Sequence, residues 1–367
     1  MNVLIAADYS SPRSGNFIAS LIALARAVSG KEGTVVFVFP QERQWADWIR
    51  GEGFSLELVG NDVKKAEDQF PVLSKLIEKY RIDLLHLHFG MFHHAVTHHR
   101  KEMRNVRILL HDHMGFNSQT NLIKKYVLSC ARSFDYARKS IGVISVMKQK
   151  NDAYLFLRKK WYVPNGLSLE RFVDHSMSRD ECRESLGIND SENVCLLLGW
   201  DLQCKGLDIA LKAVNECRRR GHNVVLGVIG AGKGEPSSSA ASFIRQETGL
   251  DPTESWIHYF KDCEDMYAVH RAVDCYISSS RWEGFSYGLL EAISQNTPVV
   301  VSNIPGTRWA KEYDNSFFYP VENHNKCADA IIMALHAGRA ETNSASVIEK
   351  YSIDHWCNRV LEIYEEL

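Results

Sequence analysis

Two glutamates, Glu283 and Glu291, stand eight positions apart in RWEGFSYGLLEA, on either side of an aromatic segment bracketed by Gly284 and Gly288. The apolar run 273–278 before them reads as a strand, and Leu289-Leu290-Glu291-Ala292-Ile293 reads as a helix that begins near Ser286. Glu283 therefore falls in the connection after a strand, and Glu291 a turn or more into the following helix. Parallel sheets bind ligands outside the carboxyl ends of their strands, in such connections. A helix start with glycines beside it offers unpaired N–H groups and a positive dipole end to a phosphate. Carboxylates accept hydrogen bonds from paired sugar hydroxyls. One element could thus hold a diphosphate on its backbone and hydroxyls on its acids. Taken alone, however, glutamates near a helix are usually exposed surface acids, so the framework around them decides.

That framework is an alternation of short apolar runs with helical patterns. In the first half the runs are 3–7, 34–39, 55–59, 83–88, 107–111 and 141–145, several almost wholly apolar, as parallel strands covered on both faces are. Between them, Phe17-Ile18-Leu21-Ile22-Leu24-Ala25 and Leu73-Leu76-Ile77-Tyr80 repeat at helical spacing. The pattern stops at Val163-Pro164-Asn165-Gly166, gives way to a polar segment up to about residue 193, and resumes with runs at 194–199, 224–229, 256–260, 273–278, 298–302 and 317–320. Architecture recurs here without a repeated sequence. The reading is α/β: two doubly wound parallel-sheet domains, residues 1–163 and 164–345, facing a cleft. Residues 346–367 form a terminal amphipathic helix that returns toward the first domain.

A chain of 367 residues suits two cores, and 45% hydrophobic with 24% charged residues describes a globular protein. A net charge of -2 gives no general attraction to nucleic acid or anionic lipid. The nine cysteines are scattered without a C-x-x-C pair, so neither a disulfide framework nor a zinc knuckle is expected, and Cys195 and Cys275 in apolar runs read as core thiols. MNVLIAADYSS reads as a first strand and not as a signal peptide, and no run reaches membrane-spanning length. The expected compartment is the cytoplasm.

Glu283 and Glu291, followed by Ala292 and Thr297-Pro298-Val299-Val300, resemble the E-x7-E signature of the retaining GT-B glycosyltransferases of family 4. The resemblance extends to Gly199 with Lys205-Gly206-Leu207-Asp208, to Val163-Pro164-Asn165-Gly166 with Arg171-Phe172, to Val228-Ile229-Gly230-Ala231-Gly232, and to the strand ends at 83–88 and His111-Asp112. It implies a GT-B fold and transfer of a sugar from a nucleoside diphosphate donor, UDP- or GDP-linked, with retention. It implies that Glu291 binds the ribose hydroxyls, that Glu283 lies beside donor-sugar hydroxyls, and that Gly284, Phe285, Ser286, Tyr287 and Gly288 cradle sugar and phosphate. Lys205 would stabilise charge on the leaving diphosphate, and His111 would contact the donor sugar from the facing domain. Gly15, Gly199, Trp200 and Gly230 fall at the family's donor-binding positions. No cofactor or divalent metal is implied.

One departure concerns Trp200, which stands where the family usually has an arginine. Indole cannot replace a bidentate phosphate fork. Either another cation such as Arg13 or Arg308 serves, or the donor is held differently, or catalysis is weak. The first loop also carries Ser14-Gly15 where two glycines are common.

Eight histidines crowd residues 86–113. His94 and His98 have metal-ligand spacing, but no acidic or cysteine partner follows at a recognisable interval. His86, His88 and His113 are instead expected on the acceptor side, where one could act as general base, although in this class the leaving phosphate is often held to take that proton. Gly230-Ala231-Gly232-Lys233-Gly234 lacks the spacing of a phosphate loop and reads as a tight turn. Residues 121–161 hold ten Lys/Arg interleaved with aromatics. That face would rest on anionic lipid at the inner side of a membrane and meet a lipid-linked acceptor, or be an ordinary charged helix surface with its aromatics inward. No nucleic-acid module is recognisable.

The expected activity is transfer onto a glycan or lipid-linked acceptor in cell-surface polysaccharide assembly. The alternatives are a GT-B nucleotide-sugar epimerase, a phosphorylase or synthase using a sugar phosphate, and a degenerate nucleotide-sugar-binding subunit. A Rossmann dehydrogenase is disfavoured because Ala7-Asp8-Tyr9-Ser10-Ser11-Pro12 lacks the glycine fingerprint.

Overall fold

In the computed structural model the described residues are 1–11, 13–60, 63, 65–114, 121–146, 154, 156–168, 177–189, 191–261, 265–341 and 343–367. Arg171-Phe172, Pro12, and Lys148 and Lys150 of the basic stretch lie outside them. The chain divides into two units, 1–168 with 351–367 and 169–350.

The first unit is built on β1 (Asn2–Ala7), β2 (Thr34–Phe39), β3 (Ser55–Leu58), β4 (Leu84–His88), β5 (Arg107–Asp112), β6 (Ile141–Ser145) and β7 (Lys160–Tyr162). They form one sheet in the order β3-β2-β1-β4-β5-β6-β7, all parallel. β1, β2, β4 and β6 are buried along nearly their whole length, as the continuous apolar runs require for a sheet covered on both faces. β7 has no counterpart among the expected runs. It is three residues long, half-buried, and among the described residues pairs only with β6.

The second unit has a six-stranded parallel sheet in the order β10-β9-β8-β11-β12-β13, made of β8 (Asn193–Leu198), β9 (Val224–Ile229), β10 (Ile257–Phe260), β11 (Cys275–Ser278), β12 (Val299–Ser302) and β13 (Ser316–Tyr319). Strand order reverses direction at β1/β4 in the first sheet and at β8/β11 in the second. Such switch points open a crevice at the strands' carboxyl ends. Away from those ends, at the amino-terminal side of β11, Cys195 and Cys275 face each other, fully buried, with sulfurs 3.0 Å apart.

The terminal helix Ile353–Glu366 packs on the helix Gly15–Ser29 of the first unit. Trp356, Val360, Leu361, Ile363 and Tyr364 form its buried stripe. The fit is close. A side chain at Gly166 would meet Trp356 at 2.7 Å, Arg107 donates to the Tyr364 carbonyl at 2.6 Å, and Trp161 Nε1 donates to Glu366 at 2.6 Å. Among the described residues no helix is long and apolar enough to cross a membrane.

Candidate active site

The second unit gathers its functional residues where β8 and β11 end. After β8 the chain turns through Gly199, whose amide donates to the Ile229 carbonyl at 2.8 Å, and Trp200 to Lys205. Gly206 then starts the helix Leu207–Arg219 with φ +68°, and a Cβ there would collide with the Ser279 carbonyl. Only glycine meets both demands. Ser279 Oγ returns the contact, its one proton shared between the carbonyls of Lys205 and Gly206 at 2.8 and 3.0 Å. The Lys205 backbone is therefore fastened to the end of β11.

Its side chain reaches the carboxylate of Glu283, which also accepts from Ser280 Oγ at 2.9 Å. Lys205 is about a quarter exposed, Glu283 only 9%. Burial lowers the lysine's affinity for its proton, but the charge and hydrogen bond of Glu283 outweigh it and leave the pKa raised. Lys205 is an ammonium at neutral pH. Cys204 beside it is held protonated, its pKa pushed up to about 11 by burial and then by Glu283, which removes it as a thiolate nucleophile.

Arg281 is near but committed. It forks onto Asp208 at 2.9 and 2.8 Å, donates to Glu322 at 2.7 and 2.9 Å, and donates to the Gln203 carbonyl at 2.6 Å. A guanidinium has five donors, and these bonds use them. Lys205 is the side chain of this turn whose charge is held by a single carboxylate.

The helix Tyr287–Ser294 begins at Ser286, whose Oγ accepts from the Leu289 amide at 3.4 Å. The first amides of a helix have no acceptor within it, and this helix start follows directly on the turn that carries Glu283. Gly288 lies against the Tyr276 hydroxyl and Leu198, which a Cβ would approach to 2.6 and 2.7 Å. Glu291 is buried, 3.9 Å from His270 Nε2. Tyr276 stands within the field of both glutamates: burial first, then Glu283 and Glu291, raise its pKa and keep it a phenol. Phe285 stacks on Trp309 with centroids 4.5 Å apart. Behind the turn, a Cβ at Gly306 would collide with the Glu283 carbonyl, so the 3-10 helix Pro305–Glu312 presses directly on the loop. Ser280, Tyr276 and Gly306 went unread in the sequence, since a serine, a strand tyrosine and a glycine after Ile304-Pro305 carry no motif of their own.

Trp200 is 46% exposed and lies over Gly230, with its ring 2.8 Å from where a Cβ would be. Gly230 has φ +100°. Trp200, Gly230, Gly232, Lys233 and Ser237 line a cavity of about 420 Å³. Arg308, offered by the sequence as a replacement cation, is exposed and donates to Asn303 at 3.2 Å.

The remaining expected residues lie in the first unit. Gly15 opens the helix Gly15–Ser29 with φ +52°. His86 and His88 on β4 and His111 on β5 are buried, and His113 just beyond is half-buried. His111 stacks on His113 at 4.3 Å, on His88 at 4.8 Å and on His86 at 5.3 Å, and the rings of His86 and His88 lie tilted with centroids 4.3 Å apart. His86 Nδ1 lies 2.7 Å from the Tyr364 hydroxyl and its Nε2 3.1 Å from His111 Nδ1. His88 Nδ1 lies 2.9 Å from His113 Nε2. Burial, with neighbouring histidines adding to it for all but His113, drives every one of these pKa values down, to about 3 for His86 and His113. All four are neutral at pH 7. One nitrogen from each of His86, His88 and His111 lies within 4.8 Å of the others, a grouping a small cation could use. Binding one there would take from His86 one of its two hydrogen bonds.

Residues 178–353 match the model of the family "Glycosyl transferases group 1". The matched segment is a little under half of the chain and contains Lys205, Glu283 and Glu291. Among curated proteins, the chain is 25% identical over 211 residues to an uncharacterised glycosyltransferase of Methanocaldococcus jannaschii, covering 55% of this chain and 52% of that one. It is 28% identical over 147 residues to the lipopolysaccharide glucosyltransferase WaaG of Escherichia coli K12, covering 39% and 37%. The chain thus spans about half or less of these relatives' lengths. Among solved structures, Anabaena Alr3699/HepE in complex with UDP superposes with a TM-score of 0.77 at 15% identity, over the whole of both chains. These likenesses establish the fold as GT-B and, with the family model, support a place in the group 1 glycosyltransferases.

Proposed function

We propose that the chain is a glycosyltransferase that moves a sugar, with retention, from a nucleoside diphosphate sugar to a glycan or lipid-linked acceptor in polysaccharide assembly. The observation that carries this reading is the Lys205–Glu283 pair, fastened by Ser279 and Ser280 to the carboxyl end of β11 beside the start of the helix Tyr287–Ser294. A departing nucleoside diphosphate gains negative charge as the glycosidic bond lengthens. An ammonium already fixed there by a buried carboxylate stabilises that charge without reorganising, which is worth most in the transition state. The amides of Tyr287 and Gly288 add the dipole of the helix start, and Glu291 suits a diol, since an ionised carboxylate only accepts.

His111, His88 and His113 are proposed to meet hydroxyls of the sugars. Trp200, flat over Gly230 and half exposed, offers a stacking face where the resembling family has a cation. That supports the second reading, a subunit that binds nucleotide sugar without turning it over. The named relatives that act on lipopolysaccharide and bind UDP or UDP-glucose support a UDP-sugar donor and a surface-glycan acceptor.

A peripheral membrane contact is part of the proposal. On the helix Leu122–Arg138, Ile123, Tyr126, Val127 and Phe134 are 76, 56, 58 and 74% exposed. At 100° per residue they share one stripe, with Lys124 and Arg138 near its margins. Tyr136 and Ser133 face inward.

The experiment is a melting-temperature panel of UDP, GDP and ADP with the full chain, followed by analysis of the transferred anomer. A ligand at a hundred times its Kd should stabilise by about 2.7 kcal/mol. No stabilisation by any of the three overturns the reading, an inverted product overturns retention, and binding without turnover of any sugar donor selects the binding subunit.

A further inference from the structure

The Tyr364 hydroxyl lies fully buried where the terminal helix meets β4. Among the described residues its hydrogen-bond partner is His86 Nδ1, at 2.7 Å. Burial holds the phenol protonated, and a phenol has one proton to give. Donated to His86, that proton leaves Nδ1 as the acceptor, and a neutral imidazole accepting at one nitrogen carries its hydrogen on the other. His86 Nε2–H then points along the 3.1 Å line to His111 Nδ1. His111 in turn accepts at Nδ1 and carries its hydrogen on Nε2, a buried atom with no partner among the described residues.

We infer that Tyr364 and His86 are positioning residues that fix His111 in a single neutral tautomer, so that its Nε2–H is a hydrogen-bond donor for a ligand oxygen. The opposite orientation of the chain fails at its inner end. There His86 would donate to the tyrosine and the phenolic proton would have no acceptor at the fully buried inner end, whereas the first orientation leaves its unmet donor, His111 Nε2–H, where the proposed ligand oxygen meets it. The stacking of His111 on His113 and His88 holds its plane. A donor at Nε2 suits the oxygen of a sugar hydroxyl or a phosphate, and it cannot take a proton from an acceptor alcohol. His111 is therefore not the general base, and His86, with both nitrogens engaged, acts through His111 and not on the substrate. The ligand class rests on the glycosyltransferase reading. The tautomer does not.

The test is a long-range proton–nitrogen spectrum of the full chain labelled with ¹⁵N-histidine. In the wild type His86 and His111 should both show a protonated Nε2 and a bare Nδ1 at neutral pH. Tyr364→Phe removes the donor and should shift the His111 tautomer ratio roughly tenfold, bringing the Nδ1–H form into view. Amide spectra report whether the variant folds. If Tyr364→Phe does not, the wild-type pattern alone decides. A wild-type His111 protonated on Nδ1, or a folded Tyr364→Phe with unchanged tautomers, overturns the inference. If the tautomers shift as expected while no sugar donor is turned over by the wild type, the relay stands and the transferase reading falls.

Discussion

At the scale of single residues, the candidate site is a matter of which charges are already spent. Arg281 is the stronger phosphate ligand by chemistry, but Asp208, Glu322 and the Gln203 carbonyl occupy it. Lys205 keeps its proton, is partly open, and is tethered by one carboxylate. Removing it should therefore cost more in turnover than in binding. Lys205→Ala is expected to lower kcat by about 10²- to 10³-fold, the loss seen when one preorganised oxyanion donor is deleted, with a change in nucleoside diphosphate affinity under about tenfold. Glu291→Ala should show the reverse, weakening nucleotide binding more than it slows the chemistry. Steady-state kinetics paired with calorimetric titration separate the two, and a Lys205→Ala enzyme as active as the parent would remove the lysine from the mechanism.

At the scale of elements, what could be read from the sequence was whatever is local. Twelve of the thirteen strands among the described residues announce themselves as runs, most because both faces of the sheet are covered and a covered strand has no polar side to break the run, while the exposed edge strand β3 is marked by its alternating leucines. β7 does not, since Lys160-Trp161-Tyr162 is short, half-buried and a strand only by virtue of β6. The positions of Lys205 and Glu283 after their strands were legible for the same reason. Their direct pairing, 78 residues apart, and the hydroxyl of Tyr364 on His86, 278 apart, were not, because such contacts exist only once the sheets have formed. The helix Leu122–Arg138 is intermediate: its basic and aromatic content is visible in the sequence, but which aromatics turn outward is decided by packing. The exposed stripe of Ile123, Tyr126, Val127 and Phe134 makes a prediction at this scale. Burying one such side chain in lipid is worth about 1.5–3 kcal/mol, so Ile123→Glu/Phe134→Glu should reduce partitioning onto anionic vesicles by at least roughly tenfold in a flotation assay. Equal flotation of variant and parent, or none by the parent, would return this helix to an ordinary surface.

At the scale of the whole molecule, each unit keeps its own core, and the chain's last residues belong to the first. The terminal helix completes the burial of β4 and β5 by setting Tyr364 on His86, and in doing so it encloses titratable groups that would charge in water. His86, His88, His111 and His113 face one another there, with the phenol of Tyr364 above them and the Asp112 carboxylate at the strand end. Folded, His86 and His113 have pKa values near 3, and those of His88 and His111 are also depressed. In the unfolded chain each returns to about 6.5. Between those limits the unfolded state binds more protons, so stability rises with pH. It is fully present above about pH 6.5 and drains away as the pH falls toward 3, at about 1.4 kcal/mol per pH unit for each histidine that stays neutral in the fold. Amide hydrogen exchange at β4 and β5 should therefore accelerate steeply between pH 6 and pH 4 after correction for intrinsic rates, while the β8 and β11 amides, whose unit has no such cluster among its described residues, should respond less. His86→Phe fills the space with a ring that cannot charge and should flatten the acid limb of the first unit even if it lowers stability at pH 7. Equal acid sensitivity of parent and variant would mean that the histidine stack is not what acid attacks.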